Sequence, residues 1–260
     1  MTFKSLALAT TALSLGLMAT APATLADDAP KAPAAAEVEL QPLTKSDIET
    51  IIRDYLMENP EIVMDAAAAY RVKQEQERAE AAKAALTSES AAIYEDPLSP
   101  AIGPDDADVT VVEFFDYNCG YCKRILPDMV KLTENDPKVR IIFKEMPILG
   151  PTSIDAAKAA LAAQKQGKYF EMHAALMENR EGFAQERINQ IASDLGLDVE
   201  QLQADMQSAE FTAYFDRVRE LAGKLGVTGT PALIVGEEIA PGAIPYDRLK
   251  EMVATAREAG

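Results

Sequence analysis

The sequence predicts an α/β domain interrupted by an all-helical stretch and carried on an N-terminal helical arm. Three observations lead there. "VTVVEFFDY" (109–117) is a dense run of β-branched and aromatic residues, as expected of a strand buried on both faces. The next segment, "CGYCKRILPDMVKLTEN" (119–135), switches to helical spacing, with Ile125, Met129 and Leu132 on one stripe. Between 153 and 225 only helical patterns occur, such as "IDAAKAALAAQKQG" and "ERINQIASDLGL", whereas "VRIIFKEMPILG" before them and "GVTGTPALIVG" after them read as strands.

The chain opens with Lys4, an apolar run at 6–18 and a small-residue end at Ala26. That order is a cleavable secretory signal, residues 1–26. A membrane anchor is the alternative, but the apolar run is well short of the roughly 20 residues a span requires. The mature protein is therefore expected to be soluble and periplasmic, where disulfides persist. Residues 27–43 are Ala/Pro-rich and acidic, a disordered leader by composition.

Residues 44–92 read as the arm. Thr44 or Ser46 is placed to cap a first helix whose apolar face is Ile48, Ile51, Ile52, Tyr55 and Leu56. Asn59 and Pro60 mark the start of a second. Beyond Tyr70 the apolar content falls to alanines among charged residues, a semi-rigid helical spacer. The arm is too short for a core of its own, so its isoleucines must pack on the catalytic domain or on other copies. A spacer has a purpose only in the second case, which makes the protein a homo-oligomer, dimer or trimer.

Residues 93–260 form the catalytic domain. Its Cys119 and Cys122 are the only cysteines in the 260-residue chain. A bridge between them would close a tiny loop and stabilise little. A closed zinc site needs about four ligands, and beyond these cysteines there is only the distant His173. A redox pair remains. Cys119 falls at a helix N-terminus, where free N–H groups and the dipole favour a thiolate, and Cys122 lies one turn on, placed to resolve a mixed disulfide. Glu113 sits inside the apolar strand with no evident polar face around it, so a buried carboxylate able to relay a proton is favoured over a solvated one. Lys144, alone in "IIFKEM", is either its cationic neighbour or a surface lysine.

The formal net charge of −17 disfavours nucleic acid and anionic membranes as partners. Two thiolates also suit Cu(I), so a copper-binding protein is a competing class. The ten methionines form no ligand repeat, however, and Met172, His173 and Met177 on one helix read as packing. No metal site and no cofactor are expected.

"VVEFFDYNCGYC", "VRIIFKEMPILG" and "GVTGTPALIVG", in that order, resemble the DsbA-like branch of the thioredoxin superfamily over about 99–259. The resemblance implies a thioredoxin fold with a helical insertion at about 151–225. It implies a cis Thr230–Pro231 bond facing the cysteines, with the Thr230 backbone free to pair with an extended client. It also supports the buried glutamate. Gly120–Tyr121 departs from the Pro-His of DsbA; without that histidine the thiolate loses a donor, so a weaker oxidant is expected. The same dipeptide resembles DsbC-type isomerases, and the arm resembles that of ScsC (suppressor of copper sensitivity) proteins. The implied activity is thiol–disulfide exchange on unfolded or misoxidised exported proteins, as isomerase or reductase, with a membrane-bound redox partner. A disulfide-donating oxidase is the alternative.

Overall fold

Thr44 starts the first helix. Its hydroxyl accepts from the Asp47 backbone N–H at 3.2 Å, while Asp47 Oδ2 accepts from the Thr44 N–H at 2.9 Å and its hydroxyl at 2.6 Å. This reciprocal cap satisfies donors that a helix start leaves unpaired. The computed structural model describes residues 42–259; the signal expected at 1–26 and nearly all of the leader expected at 27–43 lie outside them. Helix α1 (Lys45–Glu58) buries none of its residues, and Ile48, Ile51, Ile52 and Tyr55 stand exposed along one face. It ends a first structural unit at Glu58; the second begins at Asn59.

In the second unit Pro60, helical in φ and ψ, leads into α2 (Glu61–Ser88), followed by α3 (Ser90–Tyr94). The spacer expected beyond Tyr70 is part of α2, and its last turns are not free. Ala85 is buried, Leu86 packs against the core, α2 touches a later helix, and Lys83 pairs with Glu237 at 2.9 Å.

The sheet is mixed. Strands β1 (Ala101–Ile102), β2 (Val109–Phe115), β3 (Val139–Glu145), β4 (Ala232–Val235) and β5 (Glu238–Pro241) lie in the order β1-β3-β2-β4-β5. β2 runs parallel to β3 and antiparallel to β4, so the central strand is covered on both edges. This is the sheet of a thioredoxin-like fold. α4 (Gly120–Asn135) links β2 to β3 and buries Cys122, Ile125, Leu126, Met129 and Leu132. α10 (Tyr246–Ala259) closes the chain against β2 and β4.

Five helices stand between β3 and β4: α5 (Pro151–Lys165), α6 (Tyr169–Glu178), α7 (Gln185–Asp194), α8 (Val199–Met206) and α9 (Ala209–Lys224). α5 is alanine on nearly every side, and Ala156, Ala157, Ala159, Ala160, Ala162 and Ala163 are all buried. Such a helix belongs in an interior, and its short side chains let α6, α7 and α8 approach closely. Among the described residues no helix is long and apolar enough to cross a membrane.

Register decides which side chains share a face. Glu113 pairs with Phe143, Phe114 with Lys144 and Phe115 with Glu145. Alternation therefore puts Glu113, Phe115, Phe143 and Glu145 on one face, and Lys144 on the other.

Candidate active site

The strand expected to reach Tyr117 ends at Phe115, because Asp116 turns the chain. Its buried carboxylate accepts from the Asn118 N–H (2.7 Å) and Ser153 hydroxyl (2.7 Å) on one oxygen, and from the Ile148 (2.8 Å) and Leu149 (2.9 Å) N–H groups on the other. Asn118 Nδ2 adds bonds to Thr152 and Ser153. The loop before the cysteines is thus tied to the start of the helical insertion. Cys119 follows as the N-cap of α4, with φ −76° and ψ 112°.

The two thiols are free and unlike each other. Cys119 is 7% exposed, and its Sγ donates to the Thr230 carbonyl at 3.2 Å. Burial pushes its pKa up, but contacts with the Thr230 hydroxyl, the Cys122 N–H and thiol and the Tyr121 N–H outweigh that and hold it below the ordinary value. That hydroxyl is buried with no other partner. Cys122 is fully buried, and burial with the nearby Glu113 charge drives its pKa well above normal. One sulfur gives up its proton readily, and the other holds its proton.

Glu113 is 1% exposed in the middle of β2. Burial, then the Cys119 charge, raises its pKa to about 8, and its Oε1 has no hydrogen-bond partner. Lys144 is not its neighbour, nor is it a surface residue. It is buried on the opposite sheet face, where Nζ donates to Ala92 O (2.6 Å) and Ser99 Oγ (2.9 Å). The alternation of β3 removes it from the site, and a modulating role near the cysteines is withdrawn.

The Thr230–Pro231 bond is cis, and Pro231 is buried beside Thr230. Gly120 is not there for lack of space, since an added Cβ would meet nothing within 4 Å. Tyr121 is 57% exposed, with the Arg124 guanidinium 4.6 Å from its ring centroid. Neither supplies an ionisable donor to Cys119.

A second buried polar group lies on the Glu113 face and escaped sequence reasoning. Glu145 accepts from the Tyr117 and Tyr169 hydroxyls, each at 3.0 Å, and Tyr117 also meets His173 Nδ1 at 3.0 Å. Burial keeps Glu145 well above the usual carboxylate range and lowers His173 to about 3. The cluster fastens the loop before Cys119 to α6. Asp116 followed two residues later by Asn118 was a turn signal, but nothing local marks Glu145 or His173 as partners. Met172, His173 and Met177 are all buried on α6. Among the described residues, no three His, Cys, Asp or Glu side chains gather as a metal site.

Comparison with known proteins extends this geometry. A thioredoxin-like oxidoreductase from Silicibacter pomeroyi DSS-3 is 44% identical, covering 65% of this chain and 98% of its own, with a TM-score of 0.63. A linker-deletion mutant of Proteus mirabilis ScsC is 30% identical over 86% of this chain and 100% of its own, with a TM-score of 0.66. Among curated proteins, the Na(+)/H(+) antiporter NhaA 3 of Salinispora tropica is 28% identical over 156 residues, 59% of this chain. The match spans only 24% of that antiporter's length. Residues 45–77 match the copper resistance protein ScsC N-terminal domain, and residues 110–254 match the DSBA-like thioredoxin domain. The chain belongs to the DsbA-like thioredoxin family of thiol:disulfide oxidoreductases, with a ScsC-type N-terminal domain ahead of its catalytic domain.

Proposed function

We propose that this protein is an exported, periplasmic thiol:disulfide oxidoreductase that works mainly as an isomerase or reductase on unfolded and misoxidised proteins. One observation carries the reading: a thiol with a lowered pKa caps a helix beside the Thr230 carbonyl, with a buried, proton-holding thiol one turn behind it. Cys119 as thiolate attacks one sulfur of a client disulfide. That S–S bond breaks, its electron pair leaves on the other client sulfur, and a mixed disulfide forms. In isomerisation a different client thiolate then attacks the client sulfur of the mixed disulfide, forming a new client S–S bond and expelling Cys119 as thiolate, with no net oxidation. In reduction Cys122 attacks Cys119 instead, Glu113 takes the Cys122 proton, the client leaves reduced and the enzyme is oxidised. A membrane-bound redox partner restores the pair.

Two features favour isomerase or reductase over disulfide donor. Gly120–Tyr121 offers no imidazole to the thiolate, so the oxidised form is less driven to give up its disulfide. The open apolar face of α1 suits self-association into a dimer or trimer, which would present several catalytic domains to one client. No cofactor enters. The test is refolding of a scrambled disulfide substrate by the reduced protein, together with the redox state of its cysteines in the cell. Mostly reduced cysteines and recovered substrate support the reading; oxidised cysteines with disulfide donation alone would replace it with an oxidase.

A further inference from the structure

Thr230 and Pro231 have a second surface besides the one that meets Cys119. On that side they help line a groove of about 630 Å3, within the range of sites that hold a small ligand or short peptide. The groove is lined as well by the last part of α2, through Ala79, Ala82 and Leu86, and by Val227, Ile239 and Pro241. Charges at the rim are mostly spent: Lys83 pairs with Glu237, and Glu238 with Arg248. Arg78, also on the rim, has no ion pair among the described residues. Ala79 and Ala82 are short, which leaves room for a large apolar residue from elsewhere.

We infer that α2 is a client-specificity element: with Thr230 and Pro231 it grips an extended segment carrying a bulky apolar residue near the target cysteine, and Arg78 favours an acidic residue beyond it. The inference rests on the proposed oxidoreductase activity and says which polypeptides that activity prefers. Continuity identifies the occupant. Thr230 touches Cys119 Sγ and also lines the groove with residues of α2 and β5, so a client chain held at Thr230 has the groove next to it. An arm helix and the redox site would then act on the same client residues.

The experiment compares two substrates for the full-length protein: glutathione disulfide, and a disulfide-linked peptide with phenylalanine and aspartate near its cysteine. Ala82→Trp, and separately Ala79→Trp, should fill the groove. Each should lower kcat/KM for the peptide by at least about tenfold through KM, with glutathione disulfide unaffected. Arg78→Glu should reverse the preference between aspartate- and lysine-containing peptides. Unchanged peptide kinetics in both tryptophan variants would overturn the inference, as would an equal loss on both substrates. A changed oligomeric mass with unchanged peptide kinetics would assign the groove to a second copy instead. A wild-type protein that exchanges with neither substrate removes the oxidoreductase reading, and this inference with it.

Discussion

Cys119 Sγ lies 3.2 Å from the Thr230 carbonyl oxygen, although 111 residues separate the two in sequence. In the proposed mechanism this contact joins the attacking thiol to the backbone that would hold its client. It also leaves the Thr230 hydroxyl, buried and otherwise unpartnered, beside the sulfur. Cys119 and Cys122 therefore have different fates. Cys119→Ser should abolish exchange, whereas Cys122→Ser should accumulate mixed disulfides with clients. Alkylation at neutral pH, followed by peptide mapping, should modify Cys119 first; a faster reaction at Cys122 would reverse the roles.

Glu113 should give the site its pH dependence. Its folded-state pKa of about 8 lies above the ordinary 4.5, so between those values the folded protein holds a proton that the unfolded chain releases. Stability from this group is full below about 4.5 and is lost as pH rises through about 8. In the proposed mechanism catalysis should run the other way, because only ionised Glu113 can accept the Cys122 proton. Resolution of the mixed disulfide should accelerate as pH approaches 8. Glu113→Gln should slow it about a hundredfold, flatten both profiles and leave Cys119 alkylation nearly unchanged. Stopped-flow resolution rates and denaturation midpoints across this range check the prediction; an unaltered rate profile would leave Glu113 without a catalytic part.

Asp116 should matter to stability and to thiol placement together. Its two oxygens take four donors from two segments, and Asn would turn an N–H2 group toward donors that need an acceptor. Asp116→Asn should destabilise the domain by about 3 kcal/mol, the scale of one or two charged-group hydrogen bonds. Urea unfolding measures this. Near-wild-type stability would mean that the 148–153 segment, which runs into α5, finds other partners.

What could be read in the sequence was what periodicity carries. The apolar run of β2, the helical stripe behind Cys119 and the long helical stretch between β3 and β4 each announce themselves within a dozen residues. The position of Lys144 could not be read that way. Its face depends on the pairing of β2 with β3, and a shift of one residue would have put it beside Glu113. Asp116 and Glu145 draw their partners from segments roughly 30 residues away, so no local pattern reveals them. The end of α2 misled for a related reason. Alanine among charges describes a solvated spacer as well as a helix seated by a few small residues, and the burial of Ala85, the packing of Leu86 and the Lys83–Glu237 pair distinguish the two.

The face of α1 carries the last prediction. Ile48, Ile51, Ile52 and Tyr55 recur at the spacing of one helical stripe, and all are about half exposed. A single helix gains nothing by displaying such a stripe to water; paired with copies of itself it would bury most of it, at roughly 25 cal/mol for each Å2 of apolar surface removed. Ile52→Asp puts a charge in the centre of that stripe, where pairing would have to desolvate it. The variant should be monomeric by light scattering and should still exchange with glutathione disulfide at the wild-type rate, since Cys119, Cys122, Glu113 and Thr230 all belong to the second unit. Recovery of a scrambled substrate should fall, because linked catalytic domains hold a misfolded client at an effective concentration that a monomer lacks, an advantage of about 10²–10⁴ in avidity where geometry allows. A wild-type protein that is already monomeric, or a monomeric variant that isomerises as well as the parent, would separate the arm from the mechanism.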